Sequence, residues 1–343
     1  MRHLLNTLFV TSEDIYLSLD GENVVASREK EAVARYPLHT LTAILTFAYP
    51  GASPALMGAC AQRGISLSFC TPGGKFLARV TGEANGNVLL RRTQYRMADD
   101  PVQSCGIARA MVFGKVHNAR WSIERTRRDH GLRVDDQRLG EVSGQLKTML
   151  SQLLQETDLD SLRGVEGASA AAYFGVFDQM ILGDRSVFHF ETRSRRPPLD
   201  PVNALLSFAY SLLSHDCAGA LESVGLDSYV GFLHRDRPGR SSLALDLMEE
   251  FRPCMADRFV LTCINNRIFQ KADFVYRENG GVLLSESGRR TFLQRWQERK
   301  KDSLTHPFLG EKVPWGLVPY LQALLLARFL RGDLEAYPPF LWK

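Results

Sequence analysis

RRTQYRMADDPVQSCGIARAMVFGKVHNARWSIERTRRDHG, residues 91–131, is where the pattern of the chain changes. Ile107, Ala110, Met111, Val116 and Trp121 recur at helical spacing and predict a helix with one apolar face. Downstream, GEVSGQLKTMLSQLLQET (140–157) and GASAAAYFGVFDQMIL (167–182) read as further helices. DPVNALLSFAYSLLSHD (200–216) starts another, with Asp200 as N-cap and Pro201 at the first helical position. The pattern predicts helix almost to Leu330.

Upstream the signals are short strands. LLNTLFV (4–10), DIYLSLD (14–20) and NVVAS (23–27) are rich in β-formers and separated by turn residues. SPALMGACAQRG (53–64) predicts one short helix: Ser53 caps it, Pro54 opens it and Gly64 follows its end. ISLSFC (65–70) reads as a buried strand. Thr71-Pro72-Gly73-Gly74 then turns into KFLARV (75–80), and Asn85-Gly86-Asn87 marks another turn. The expected fold class is therefore α+β: a small, mostly-β N-terminal domain (residues 1–95) followed by a larger all-α domain (residues 96–343). A length of 343 residues, at roughly 150 per domain, agrees with two domains.

Hydrophobic residues at 45% and charged residues at 23% exclude a disordered or collagenous chain. Six cysteines without C-x-x-C spacing, Cys70 and Cys263 among them in apolar runs, read as reduced core thiols rather than a zinc site. No apolar segment reaches the ~18 residues of a membrane span, and the start is too brief for a signal-peptide core, so a cytoplasmic protein is expected.

The net charge of +4 gives no sign of a nucleic-acid partner, but the cations cluster. One group is Arg109, Lys115, Arg120, Arg125, Arg127 and Arg128; a second, in the loop ETRSRRPP (191–198), is Arg193, Arg195 and Arg196. Arg235, Arg237 and Arg240 form a third, and Arg289 to Lys301 carry a fourth. Any one cluster reads equally as a solvated helix face. Four Arg-rich clusters together favour a phosphodiester partner, because the guanidinium fork grips phosphate oxygens in pairs.

Acids accompany these cations in GFLHRDRPGRSSLALDLMEEFRP (231–253). Asp246, Glu249 and Glu250 are expected on one stripe of a helix capped by Ser241 or Ser242, with His234 in the loop before it. Glu166 lies at the start of a helix followed by Gly and Ala residues. Oxygen ligands with one imidazole suit Mn²⁺ or Mg²⁺ rather than structural zinc. Taken singly, each acid also reads as a water-facing or dipole-complementing residue, and spacing alone leaves the metal site open.

RGVEGASAAAYF (163–174), RRPPLDPVNALLSFAYSLL (195–213) and GLDSYVGFLHRDRPGRSSLALDLMEEFRP (225–253), in this order, resemble the CRISPR-associated adaptation nuclease/integrase (Cas-one) family. CAQRGISLSFCTPGGKFLARVTGEANGNVLLRRTQY (60–95) looks most like its subtype I-C branch. The resemblance implies a metal-dependent DNA endonuclease and integrase that inserts foreign DNA fragments into a CRISPR array as new spacers. It places catalytic metal ligands at Glu166, His234 and Glu249, with Asp246 as a supporting acid and Glu where relatives carry Asp at the third ligand. Double-stranded DNA would be the substrate. Arg235, Arg237, Arg240, Arg193, Arg195, Arg196, Lys115 and Asn118 would contact it, with His117 beside Asn118. Asn203, Ser207 and Tyr210, at i, i+4 and i+7 of one helix, would support the site or contact the DNA, and read equally as a simple polar helix face. A homodimer formed through the β-rich domain and a small Cas-two partner dimer are also implied. The rival reading is a non-catalytic DNA-binding scaffold.

Overall fold

The computed structural model describes residues 7–10, 12–41, 43–70, 76–80, 82 and 88–343. The expected turns at 71–74 and 85–87 and the side chain of Cys70 lie outside the described residues. The chain divides into two compact units, Met1–Gly86 with Leu284–Asp302, and Asn87–Leu283 with Ser303–Lys343.

In the first unit, β1 (Thr7–Val10), β5 (Ala43–Thr46), β6 (Ser66–Cys70) and β7 (Phe76–Val80) form one sheet in that order, β1, β5 and β6 parallel and β7 antiparallel. β2 (Tyr16–Asp20), β3 (Asn23–Arg28) and β4 (Glu31–Pro37) form an antiparallel meander. Helix α1 (Pro54–Arg63) has the expected ends: the Ser53 side chain accepts from Leu56 N, and Gly64 takes the left-handed conformation at φ 67°. Leu17, Val24, Leu38, Ile44, Leu56 and Leu67 meet in a core with no exposed surface.

The second unit is mostly helical. The long stretch from residue 91 is two helices, α2 (Val88–Asp99) and α3 (Pro101–His130), because the Asp100 carboxylate caps a new start by accepting from Val102 N and Gln103 N. α4 (Asp136–Leu153), α5 (Leu159–Phe174) and α6 (Pro201–Ser223) follow, α6 with the expected Asp200 cap. α7 (Ser242–Glu249) runs through a wide π-helical segment, Arg252–Asp257, into α8 (Arg258–Asn265). Pro253 has no N–H to donate, and Arg258 N reaches five residues back to Pro253 O. α9 (Glu286–Lys301) belongs to the first unit and α10 (Val318–Leu330) to the second.

The C-terminal part is not wholly helical. β8 (Phe274–Tyr276) pairs with β9 (Val282–Leu284) across a turn closed by Gly280 at φ 77°, and β10 (Ser303–Thr305) pairs with β11 (Lys312–Pro314). Cys60, Cys105, Cys217, Cys254 and Cys263 are buried thiols, as expected. Among the described residues no helix is long and apolar enough to cross a membrane.

Candidate metal centre and nucleic-acid interface

Three helices bring two carboxylates onto one ammonium. Glu166 extends from α5, Glu249 ends α7, and Lys115, midway along α3, binds Glu166 Oε1 and lies 2.7 Å from Glu249 Oε2. Arg252, one turn beyond Glu249, binds its other oxygen at 3.0 Å. Burial opposes the charge of Glu249, but Arg252, Lys115 and His234 outweigh it and hold the carboxyl down at about 2. Glu249 is an anion lined by cations.

His234 is held by Asp246. One carboxylate oxygen of Asp246 accepts from Phe232 N (2.6 Å) and Leu233 N (2.9 Å); the other accepts from His234 N (3.0 Å) and His234 Nδ1 (2.5 Å). With four donors on two oxygens, fully buried Asp246 is a bracket for the loop and not a free ligand. The bracket needs Gly231, since a Cβ there would stand 2.7 Å from Asp246 Oδ2. Nδ1–H is thereby committed to a carboxylate, the arrangement that orients an imidazole and leaves Nε2 as its ligating nitrogen. Arg163, one turn before Glu166, donates to Leu233 O at 3.0 and 2.7 Å and ties α5 to the same loop.

Among the described residues no three His, Cys, Asp or Glu side chains are already gathered in coordinating positions. The donor set nevertheless suits a hard cation. Buried Glu249 Oε2 meets the Lys115 ammonium at 2.7 Å, a contact that leaves it lone-pair capacity of the kind a divalent cation uses. Glu166 and Glu249 share a charge focus with His234 acting on it, two oxygens and one nitrogen of the kind Mn²⁺ or Mg²⁺ accepts.

Glu249 and Glu250 do not share a stripe. Glu250, also fully buried, turns away to accept from Tyr337 OH (2.6 Å), Phe340 N (2.6 Å) and Gln322 Nε2 (3.0 Å). Neither acid faces water.

A family model described as CRISPR associated protein Cas1 matches residues 8–298. The chain belongs to the Cas1 family. It is 48% identical over 343 residues, all of both chains, to CRISPR-associated endonuclease Cas1 1 of Chlorobaculum tepidum. To CRISPR-associated endonuclease Cas1 2 of Rhodospirillum rubrum it is 51% identical over 348 residues, again all of both chains. Its fold is similar to that of a casposase bound to integration product (TM-score 0.83, 23% identity, 98% of this chain and 94% of that one). A Cas1 protein from Thermotoga maritima is also similar (TM-score 0.82, 20% identity, 97% and 99% covered).

Several residues expected on the DNA surface of this Cas1 chain have interior work instead. Asn118 is fully buried and donates to Glu250 O (2.7 Å) and Phe340 O (2.8 Å) while accepting from Trp342 N. His117 packs between Phe113 and Trp121, and burial, then Lys343 and Arg120, pull its pKa down to about 4. Asn203, Ser207 and Tyr210 do line one face of α6, but that face grips Arg193. Asn203 Oδ1 accepts from Arg193 at 2.7 Å, Ser207 Oγ accepts at 3.1 Å, and the guanidinium stacks 5.2 Å from the Tyr210 ring centroid. Tyr210 OH donates to buried Asp257 (2.6 Å), and Arg252 covers the ring at 4.8 Å. Thus Arg193, Asn203, Ser207 and Tyr210 brace Arg252 behind Glu249. Lys115 is committed to the two carboxylates rather than to a surface.

The charge clusters separate in the same way. Arg127 pairs with Asp136, Arg128 with Asp129, Arg290 with Glu286, Arg295 with Glu298 and Arg299 with Asp302, so much of the first and fourth groups is solvated helix face. Arg195, Arg196, Arg235 and Arg237 are exposed and Arg240 half-buried. Of these, Arg235 meets Asp160 at 3.1 Å with both side chains over 70% exposed, a pair that water and salt weaken. Lys115, Arg163, Arg252 and Asp257 were not recognisable as parts of one site from spacing, because three helices and a π-helical turn bring them together.

Proposed function

We propose that this chain is a metal-dependent DNA endonuclease and integrase of CRISPR adaptation, acting in the cytoplasm at Glu166, His234 and Glu249. The observation that carries this reading is the convergence of Glu166 and Glu249 beside a histidine whose Nδ1 is fixed by Asp246. Mn²⁺ or Mg²⁺, when bound, supplies Lewis-acid stabilisation of the charge that develops on the phosphoryl oxygens. The residues of the chain do the rest. Arg252 and Lys115 keep the Glu249 carboxylate ionised, Asp246 and Arg163 hold His234, and the exposed Arg195, Arg196, Arg235 and Arg237, with half-buried Arg240, bind backbone phosphates. In strand transfer a 3′-hydroxyl oxygen gives up its proton to solvent and bonds to phosphorus, while the target strand's bridging oxygen leaves and takes a proton from solvent; in hydrolysis water replaces the hydroxyl. No protein nucleophile is needed.

The named relatives are endonucleases, and the casposase of similar fold is bound to an integration product, in keeping with this chemistry. Another solved structure of similar fold is a Cas6-RT-Cas1–Cas2 complex, matched over 36% of its chain, which supports a Cas2 partner for the present chain. A homodimer through the β-rich domain of residues 1–95, double-stranded spacer-precursor and repeat DNA as substrates, and a subtype I-C-like system complete the proposal.

One observation favours the rival scaffold: an ammonium already sits against both carboxylates. Strand transfer decides between them. With a spacer-like duplex, a leader–repeat target, the Cas2 partner and Mn²⁺, the wild-type chain joins DNA ends, and Glu166→Ala, His234→Ala and Glu249→Ala do not, while their DNA affinity stays within a few-fold. A wild-type chain that binds this DNA but joins no ends supports the scaffold.

A further inference from the structure

The last residues of the chain do not run free over the surface. Tyr337, Phe340 and Trp342 are buried, in a segment without regular secondary structure that lies against α3, α10 and the end of α7. Phe340, with no exposed surface, packs its ring against Phe251 (5.7 Å), Trp315 (6.0 Å) and His306 (5.5 Å).

Its polar contacts converge on one place. Glu250 accepts from Tyr337 OH and Phe340 N, and Asn118 joins Glu250 O to Phe340 O and Trp342 N. Gln322 of α10 closes the network by donating toward Glu250, Tyr337 OH and Pro338 O. Gly114 permits the approach: a Cβ there would lie 3.1 Å from Glu250 Cγ and 3.3 Å from Pro339 Cβ.

Helix register links this segment to the metal ligands. Gly114 and Lys115 are consecutive on α3, and Glu249 and Glu250 are consecutive at the end of α7. The segment presses Glu250 onto Gly114; the same helix contact sets Glu249 against Lys115.

We infer that the C-terminal strap, Tyr337–Trp342, is a positioning element for Glu249 and sets how tightly the site holds a divalent cation. Tyr337 and Phe340 act through Glu250 and touch no reacting atom. The inference rests on the metal site proposed above, and its test separates the two.

Mn²⁺ binding to the full-length chain is measured by calorimetry, alongside amide hydrogen exchange of the peptide covering 337–343. Tyr337→Phe, which removes one hydroxyl, weakens Mn²⁺ affinity a few-fold, less than the ~10–100-fold that follows loss of a direct hydrogen-bond partner of a ligand, because it acts through Glu250. Coupling is reciprocal, so Mn²⁺ added to the wild-type chain slows exchange at Phe340 and Trp342, and does not in a Glu166→Gln, Glu249→Gln double variant. If the double variant binds Mn²⁺ as the wild type does, the site is elsewhere and the strap inference falls with it. If the double variant loses Mn²⁺ but Mn²⁺ leaves strap exchange in the wild type unchanged, the site stands and the strap inference is overturned. The exchange measurement decides even if Tyr337→Phe fails to fold.

Discussion

Two pockets lie on either side of the end of α7, and two consecutive glutamates point one into each. Glu249 enters a pocket lined by Lys115 and Arg252; Glu250 enters one lined by a tyrosine hydroxyl, an amide side chain and a backbone N–H. Both are buried, yet their protonation equilibria move in opposite directions, to about 2 for Glu249 and about 8 for Glu250. Burial raises both. The difference lies in the neighbours: formal cations reverse the desolvation penalty, whereas neutral donors offset only part of it. Two adjacent, chemically identical side chains are thereby divided between a centre that binds charge and a joint that holds the fold.

The sharpest test replaces each in turn. Glu249→Gln takes strand transfer to background, and because Lys115 and Arg252 lose a buried partner it also costs about 3 kcal/mol or more of unfolding free energy. Glu250→Ala leaves Tyr337 OH, Phe340 N and Gln322 Nε2 without their acceptor. Its main effect is on stability, roughly 1–3 kcal/mol for each donor that water cannot reach. Denaturant unfolding and strand transfer, measured on both variants, check the division. Equal loss of activity with no difference in stability would erase the distinction between the pockets.

Asp257 extends the comparison within the helical unit. It accepts from Tyr210 and has Arg193 and Arg252 nearby, but burial still pushes its carboxyl up to about 6. A folded-state value above the ordinary 3.8 means that the folded chain holds this proton more tightly than the unfolded chain. Its contribution is fully present below pH 3.8 and is lost as pH rises through about 6, amounting to a few kcal/mol at most. Asp257→Asn, which cannot titrate, removes this part of the decline. Unfolding free energies of the two proteins between pH 4 and 7 check it: the wild-type curve falls relative to the variant's over that range. Parallel curves would place Asp257 with Glu249, governed by its cations.

Parts of this arrangement are legible in the sequence. Ser53-Pro54 with Gly64, and Asp200-Pro201, mark helix ends because their chemistry is local. The change from strands to helices near residue 91 is equally local. β4 is less legible, because its turn is Glu29-Lys30, two residues at φ 49° and 72° where glycine or asparagine would have announced a hairpin. Glu166, His234 and Glu249 are singled out by the family resemblance, not by residue type, which leaves Asp246 and Glu250 equally in view. The opposite directions of Glu249 and Glu250 are not legible, because both sit in one helical turn and only their tertiary neighbours differ. Asn118 misleads for the same reason: a polar residue on a helix reads as surface until the segment of chain that covers it is known. The C-terminal strap carries no motif, and its part emerges from hydrogen bonds to residues more than 80 positions away.

The smallest expected effect comes where solvent removes the contrast altogether. Arg235 and Asp160 are a cation–carboxylate pair like Arg252 and Glu249, but exposed, and such pairs contribute about 0–1 kcal/mol to stability. Arg235 should therefore not matter to the fold, whereas Asp160 also pairs with Arg163 at 2.5 Å; both should matter to DNA. Asp160 competes with phosphate for Arg235, so Asp160→Asn tightens binding to double-stranded DNA a few-fold. Arg235→Ala together with Arg237→Ala weakens it and lowers the slope of log affinity against log salt by about 0.9 for each phosphate that is no longer neutralised. Both changes should be the same for unrelated DNA sequences, since these side chains would hold backbone and not bases. Binding titrations at several salt concentrations read out all three. A change in unfolding free energy well above 1 kcal/mol in Arg235→Ala would show that this pair is as sheltered as the one at Glu249, and that exposure is not what separates them.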